Sequence, residues 1–540
     1  MRKAVAGLLG CVLLSSVLSG CLERTSEGHA WLLDVTEGSG LTLARLPEEG
    51  DATLADRMMA GVCVIDLDGE APLDLFFAGR ASGTGLFRAV GPFRYEDQSV
   101  LLDLSGLDPF GCLAVDVDGD ARDDLVVSGA GGVVAFFHRP DGFVRRTLYH
   151  APPSWLYASI AAGDVDADGD LDLAIAGFID VETGPVGPCG TPPCGVLLDA
   201  FAGIPSVLLI QNDEGNFEDA TARLAPDLLQ IEPTLAMIIF DLDGDGVPEI
   251  LVGNDLGDRH PDRLLVREDG RFVDRAMVWG LASNRSGFGI DTMGLAIGDV
   301  DGSGTLDVAS SDFQGWPSAV HLCGEDHFCE DRSQQLGLLR SSETFRWGNA
   351  LIDLDLDGDL ELFEATGHLY TEEEGATVGN PLRRSQPPNL YENLGGAVGF
   401  ARVVAEDGSA LARRYQGRGL AVFDADDDGL LDVVMATSSG RPALLRNVRA
   451  PEGHFVRVVL TGHPPNSGAV GAHVTLRIEG QPMQQRLRLA GEGYLGSFDP
   501  RLHFGVPAVG PGVLEVRWPS GVAETYPIDA FDRELVLTEP

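Results

Sequence analysis

The sequence predicts an all-β protein: a seven-bladed β-propeller followed by a small C-terminal β-sandwich or barrel. Three observations carry this expectation. One acidic loop frame recurs seven times, short apolar runs flank each copy, and the C-terminal stretch loses the repeat while keeping strand-like alternation.

The chain has 540 residues, 44% of them hydrophobic, and a mean hydropathy near zero. At roughly 100–200 residues per domain this means several domains or one large repeat array. The apolar content is enough to bury a core. The net charge is −45. A general nucleic-acid binder neutralises phosphates with a basic surface, so that class is excluded. Lys3 is the single lysine, and every other fixed positive charge is arginine. P-loop phosphate binding and Schiff-base chemistry on lysine therefore drop out. Self-repulsion of this size has to be managed, and bound cations would manage it.

The N-terminus reads as an address. Arg2 and Lys3 precede an apolar run over residues 4–17, too short to span a bilayer comfortably. Leu18-Ser19-Gly20-Cys21 resembles a bacterial lipobox, in which the cysteine is lipidated and becomes the mature N-terminus. The expected organisation is a lipoprotein signal peptide over 1–20, a lipidated linker over 21–30, the propeller over 31–450 and a β domain over 451–540. Losing Arg2 and Lys3 with the leader would take the charge from −45 to −47. The protein would hang from a membrane by its lipid, at the outer membrane or cell surface of a bacterium.

The seven acidic loops are DLDGEAPLD from Asp66, DVDGDARDD from Asp116, DVDADGDLD from Asp164, DLDGDGVPE from Asp241, DVDGSGTLD from Asp299, DLDLDGDLE from Asp353 and DADDDGLLD from Asp424. The shared frame is D-x-D-x-D-G-x-x-D, with acids at positions 1, 3, 5 and 9. Its chemistry is calcium chelation. Ca²⁺ takes six to eight oxygens at about 2.3–2.6 Å, and carboxylates at alternate positions of a tight loop converge on one point. Glycine at position 6 lets the backbone turn sharply. The final acid comes at position 9 rather than 12, and the flanks are β-type, so the unit reads strand, acidic loop, strand.

The candidate ligands follow from the frame. They are Asp66, Asp68, Glu70 and Asp74; Asp116, Asp118, Asp120 and Asp124; Asp164, Asp166, Asp168 and Asp172; and Asp241, Asp243, Asp245 and Glu249. The last three loops supply Asp299, Asp301, Ser303 and Asp307; Asp353, Asp355, Asp357 and Glu361; and Asp424, Asp426, Asp428 and Asp432. The third and seventh sets are complete. Ala121 replaces the glycine in the second, Ser303 stands at position 5 of the fifth, and the first departs furthest with Glu70 and Ala71.

Two more strands follow each loop, as in residues 206–212 and 216–221 joined by Asp213-Glu214-Gly215. Four strands per unit of roughly 40–60 residues is a propeller-blade signature. The seventh unit stops near Asn447, one strand short, so residues 31–36 are expected to complete it and leave no open edge. Beyond residue 452, stretches 455–460, 472–478, 485–489, 514–518 and 534–537 alternate as half-buried strands. Trp518 and Tyr494 read as core or corner residues of this module.

These loops resemble FG-GAP (VCBS) repeats, which build the integrin alpha-chain propeller. The closer resemblance is to the cartilage acidic protein family, bacterial members included, whose C-terminal module is called ASPIC/UnbV. The residues that carry it are 293–313 (MGLAIGDVDGSGTLDVASSDF), Trp347-Gly348, Gly367-His368, Gly471-Ala472, Gly493-Tyr494-Leu495, His503-Phe504-Gly505 and Trp518-Pro519-Ser520-Gly521. The resemblance implies the propeller and the terminal β module, and leaves molecular function largely open.

Cysteine usage fits export. Cys189 and Cys194 in CGTPPC, and Cys323 and Cys329 in CGEDHFC, are expected to close small disulfide loops, with zinc as the rival reading. Cys63 and Cys112 form either a third bridge or buried thiols.

Insertions between second and third strands, at roughly 178–205 and 368–388, belong on the face opposite the acidic loops. Metals are therefore expected on one face and a partner on the other. No GxSxG elbow, no HExxH and no dinucleotide fingerprint following a strand is found, and no catalytic residue is assigned. The functional expectation is an envelope-anchored calcium-binding module for adhesion or assembly, with a protein or glycan ligand and no nucleic acid. The alternative is an exported enzyme, or its accessory subunit, acting on a glycan or small molecule.

Overall fold

The computed structural model describes residues 23–25, 30–43, 53–80, 83–184, 200–370, 383–396 and 398–540. The expected signal peptide, Cys21, Cys189 and Cys194 lie outside the described residues.

Within those residues the chain is almost entirely β. Residues 32–447 form seven antiparallel sheets of four principal strands, each sheet carrying one acidic loop between its first and second strands. The first sheet is Ala60–Ile65, Asp74–Gly79, Gly85–Gly91 and Arg94–Asp97. The others repeat its up-and-down order, and their first strands are Pro109–Val115, Trp155–Gly163, Thr234–Phe240, Leu295–Gly298, Arg346–Ile352 and Gly417–Phe423. Each first strand packs against the first strand of the next sheet, and the seventh returns to the first. This is a propeller-like ring. Inner strands are covered on both faces by neighbouring sheets, so Ala60–Ile65 and Asp74–Gly79 are buried at every position and their apolar runs are continuous. Outer strands meet water, and Arg94–Asp97 buries only Tyr95.

Closure is as the sequence requires. Leu32–Asp34 pairs antiparallel with Ala443–Asn447 and supplies the fourth strand of the seventh sheet. The stretch expected to be a linker contributes more: Glu23–Thr25 adds in parallel to Phe400–Val404 at the edge of the sixth sheet. Cys63 and Cys112 are joined, linking the first strands of the first two sheets, and Cys323–Cys329 closes the hairpin in the fifth.

The C-terminal module is two sheets around one core. His454–Thr461 lies between Leu502–Val506 and Arg533–Thr538, and His473–Ile478 lies between Gln484–Leu487 and Gly512–Arg517, with Ala523–Ile528 at the edge. Strands Leu502–Val506 and Ala523–Ile528 escape the sequence reading. Trp518 sits in this core. Tyr494 is likewise a buried core residue, but of the ring rather than of this module.

Tyr494 lies at the centre of the ring. The segment 490–499 leaves the module and threads between the inner strands. Ala162 N–H donates to the Ala490 carbonyl (2.8 Å), Gly493 exchanges bonds with Leu295, and Gly496–Ser497 pairs in parallel with Val62–Cys63. The Tyr494 hydroxyl donates to the Met58 carbonyl (3.2 Å), and its ring meets Trp347 at 5.3 Å. Arg418, fully buried below, stacks 4.2 Å over Trp347 and donates to the Arg57 and Gly367 carbonyls. Backbone can enter this space because side chains are missing around it. A Cβ on Gly61 would stand 2.2 Å from the Leu495 oxygen and 2.7 Å from that of Phe110.

Gly61→Ala should therefore unseat the threaded segment and cost about 1–3 kcal/mol of overpacking strain, read as a lower urea midpoint.

Candidate metal centres

All seven loops are built on one register. The residue before position 1 pairs with position 9, as Ile65 with Asp74, Val115 with Asp124 and Gly163 with Asp172. The same holds for Phe240 with Glu249, Gly298 with Asp307, Ile352 with Glu361 and Phe423 with Asp432. Position 9 thus opens the second strand, buried, with its carboxylate turned back under the loop. In every copy that carboxylate accepts the N–H of position 2, at 2.7–3.1 Å. The five aspartates also accept an N–H from the third strand: Ala89, His138, Gln211, Cys323 and Asn447. Position 9 therefore staples loop to sheet in addition to offering lone pairs.

Position 1 fixes the turn. In the second to seventh loops its carboxylate accepts the N–H of position 6, at 2.7–3.0 Å. The first loop lacks this bond: Asp66 accepts from Asp68 and Gly69, and Ala71-Pro72 is cis. Two positions are left-handed rather than the one the sequence suggested. Position 4 has positive φ in all seven copies, including Ala167, Leu356 and Asp427, and position 6 has it in six, including Ala121.

Carboxylate oxygens of positions 1, 3 and 9 come within 4.8 Å of one another in Asp66/Asp68/Asp74, Asp116/Asp118/Asp124, Asp164/Asp166/Asp172, Asp241/Asp243/Glu249 and Asp299/Asp301/Asp307, and two further groups of this kind occur. Position 5 is outside these five triads. Instead Asp120, Asp168, Asp245, Ser303, Asp357 and Asp428 each accept the N–H two residues on, an Asx-type turn.

The electrostatics are unfavourable as they stand. Burial, with neighbouring carboxylates adding to it, pushes Asp74 up to about 7, Asp124, Asp172 and Asp307 to about 8 and Glu249 to about 9. Glu361 and Asp432 are driven up in the same direction by the same causes. One buried oxygen each of Asp118, Asp166, Asp241, Asp299, Asp355, Glu361 and Asp426 has no hydrogen-bond partner. A native interior seldom leaves buried acceptors unpaired. An all-oxygen donor set of this kind fits a hard divalent cation such as Ca²⁺ and does not fit zinc.

Arginines supply part of the countercharge. Arg139 pairs with Asp118 and Asp120, and Arg446 with Asp426. The C-terminal module brings others. Arg457 reaches Asp424 (2.8 Å) and Asp427, Arg517 reaches Asp241 (2.6 Å), and Ser467 donates to Asp116. His503, held neutral by burial, contacts the Gly429 carbonyl at 2.9 Å. The module thus covers much of the acidic-loop face, a contact that the repeat pattern gives no sign of. His368, singled out by sequence, is buried against Phe345, and its Nδ1 accepts the Tyr370 N–H, which is a packing role.

Two outcomes test this geometry. Ala121→Gly removes left-handed strain and should stabilise the fold by about 1 kcal/mol in chemical denaturation. Raised carboxyl pKa values mean the folded state keeps protons that the unfolded chain has lost. The metal-free protein should therefore lose stability as pH rises from about 5 to about 9, read as a falling melting temperature.

The family model described as ASPIC and UnbV matches residues 462–540, and that for an FG-GAP-like repeat matches 116–175 and 241–310. Cartilage acidic protein 1 of Homo sapiens is 24% identical over 550 residues, covering 94% of this chain and 77% of that protein; the Mus musculus protein is likewise 24% identical. Among solved structures, a xyloglucanase from Xanthomonas campestris aligns over 77% of this chain and 57% of its own at 16% identity and TM-score 0.40. The rhamnogalacturonan lyase YesW aligns over 96% and 91% at 14% identity and TM-score 0.32. The chain carries FG-GAP-like repeats and an ASPIC/UnbV domain, and it is homologous to cartilage acidic protein 1 over most of its length.

Proposed function

We propose that this protein is a calcium-stapled, seven-bladed binding module tethered to a bacterial envelope by lipid on Cys21. One observation carries the metal reading: in six of the seven acidic loops a buried carboxylate oxygen at position 1, 3 or 9 has no partner among the described residues. Positions 1, 3 and 9 would hold the ion. Calcium bound there cancels the repulsion between acids and stabilises the fold it binds, so its role is structural. Ligand binding falls to the opposite face. Much of the acidic face is covered by the chain's own C-terminal module, and the ring centre is filled by segment 490–499. The tether fits this orientation. Glu23–Thr25 runs beside Phe400–Val404 with Glu23 nearer the acidic end, so a lipid two residues earlier would turn that end toward the membrane. Adhesion or assembly, through a protein or glycan ligand, is the activity this arrangement serves.

EGTA should lower the melting temperature of calcium-loaded protein. Each occupied site adds about 2.7 kcal/mol at free calcium of 100 times its Kd. Asp164→Asn should remove more of that shift than Asp66→Asn, because the first loop lacks the bond from position 6 to position 1. An unchanged melting curve, for protein shown by elemental analysis to start loaded, would overturn the proposal.

A further inference from the structure

On the face away from the acidic loops, the seventh sheet carries a cavity of about 790 Å³. The turn 437–442, the run 413–416 entering the sheet and residues 34–43 after the closing strand enclose it. Its volume lies in the range of small-molecule sites, about 300–1,000 Å³.

The charge of its lining is unusual for this chain. Among the described lining residues Arg413, Arg414 and Arg441 stand with Asp34 and Glu37, one net positive charge in a protein of −45. Asp34 is already engaged. It accepts from Arg413 (2.9 Å), the Tyr415 hydroxyl (3.1 Å) and the Thr36 N–H (3.0 Å), and these bonds outweigh burial and hold its carboxyl below the usual range. Among the described residues the Arg414 guanidinium donates only to the Ser385 carbonyl, at 3.4 Å. That of Arg441 makes no hydrogen bond or ion pair among the described residues; its backbone alone is tied, to Thr437. By contrast Arg263, Arg457 and Arg501 are each matched to carboxylates. Hydroxyl and amide groups of Thr42, Ser439 and Gln416 and the apolar Leu41, Leu43 and Pro442 also line the wall.

We propose that this cavity binds an acidic oligosaccharide, an inference that rests on the binding-module reading and names its ligand class. Guanidinium groups pair bidentately with carboxylate or sulfate. The hydroxyls and amide can both donate to and accept from sugar hydroxyls. The apolar Leu41, Leu43 and Pro442 offer surface against which the face of a sugar ring can lie, and an acidic peptide is the rival that poly-glutamate tests. A chain this negative repels anions at long range, so local arginines are what such a ligand requires.

The test is calorimetric titration of full-length calcium-loaded protein, freed of excess calcium because uronides chelate it. The probes are an oligogalacturonide, a neutral oligosaccharide of equal length and poly-glutamate. The oligogalacturonide should bind at least about tenfold more tightly than either other probe. Arg414→Gln and Arg441→Gln should each weaken it about tenfold, the cost of one charge-assisted hydrogen bond. Arg271→Gln, on the fourth sheet, should leave binding unchanged and serves as the net-charge control. Equal affinity for the neutral sugar or for poly-glutamate, or indifference to both cavity substitutions, would overturn the proposal. The calcium-dependent melting shift is read on the same preparation, so absent sugar binding with that shift intact overturns the cavity alone.

Discussion

Carboxylates held close together and away from water are the constraint on which this molecule is organised. Each loop gathers three of them by backbone bonds that have nothing to do with charge. Position 2 donates to position 9, and position 6 donates to position 1 in six of the copies. The backbone thus enforces what electrostatics opposes, and the carboxyl groups at position 9 respond by holding their protons. Something positive has to answer. Arginine suits the task because it stays charged even when half-buried, and Arg139, Arg446, Arg449 and Arg457 all lean on acids of the loops. Divalent ions are the other answer, and the unpaired oxygens are where they would be felt.

The C-terminal module answers the same problem at a larger scale. Its arginines meet the first aspartates of the fourth and seventh loops, and its threaded segment ties the first, third and fifth sheets from within. Ring and module therefore share their interface with the candidate ion sites, so loss of countercharge at a loop weakens docking as well. Gly491 and Gly496 are explained by this path, where backbone passes backbone too closely for a Cβ, and Gly493 by its left-handed backbone. A consequence for access follows. The axis and much of the acidic-loop face are taken, and open concave surface is found on the other side.

Much of the candidate site was legible in the amino acids. The frame D-x-D-x-D-G-x-x-D marked the loops, and departures such as Ala71 correctly singled out the first as irregular, since that loop alone lacks the closing bond to Asp66. The frame was less informative about roles. Position 5 reads as a ligand by its charge; the five triads group positions 1, 3 and 9, and the position 5 side chain also caps a turn. The left-handed position 4 was hidden because Ala167, Leu356 and Asp427 stand where glycine would have advertised it. Strand Leu502–Val506 was missed although Leu502, Phe504 and Val506 alternate with His503 and Gly505, because five residues give the pattern little length in which to stand out.

By itself the sequence determined the repeat, the strands around each acidic loop and the borrowing of Leu32–Asp34 to close the ring, because these depend on local turn chemistry and on a periodicity visible within one unit. Only the tertiary structure decided that Tyr494 belongs to the ring rather than to its own module, that Cys63 bridges to Cys112, that Arg457 and Arg517 stand over distant aspartates, and that Arg414 and Arg441 share one cavity. The physical reason is common to all four. Each is a contact between residues far apart in the chain, and such pairings are set by how sheets stack and close, not by the spacing of residue types.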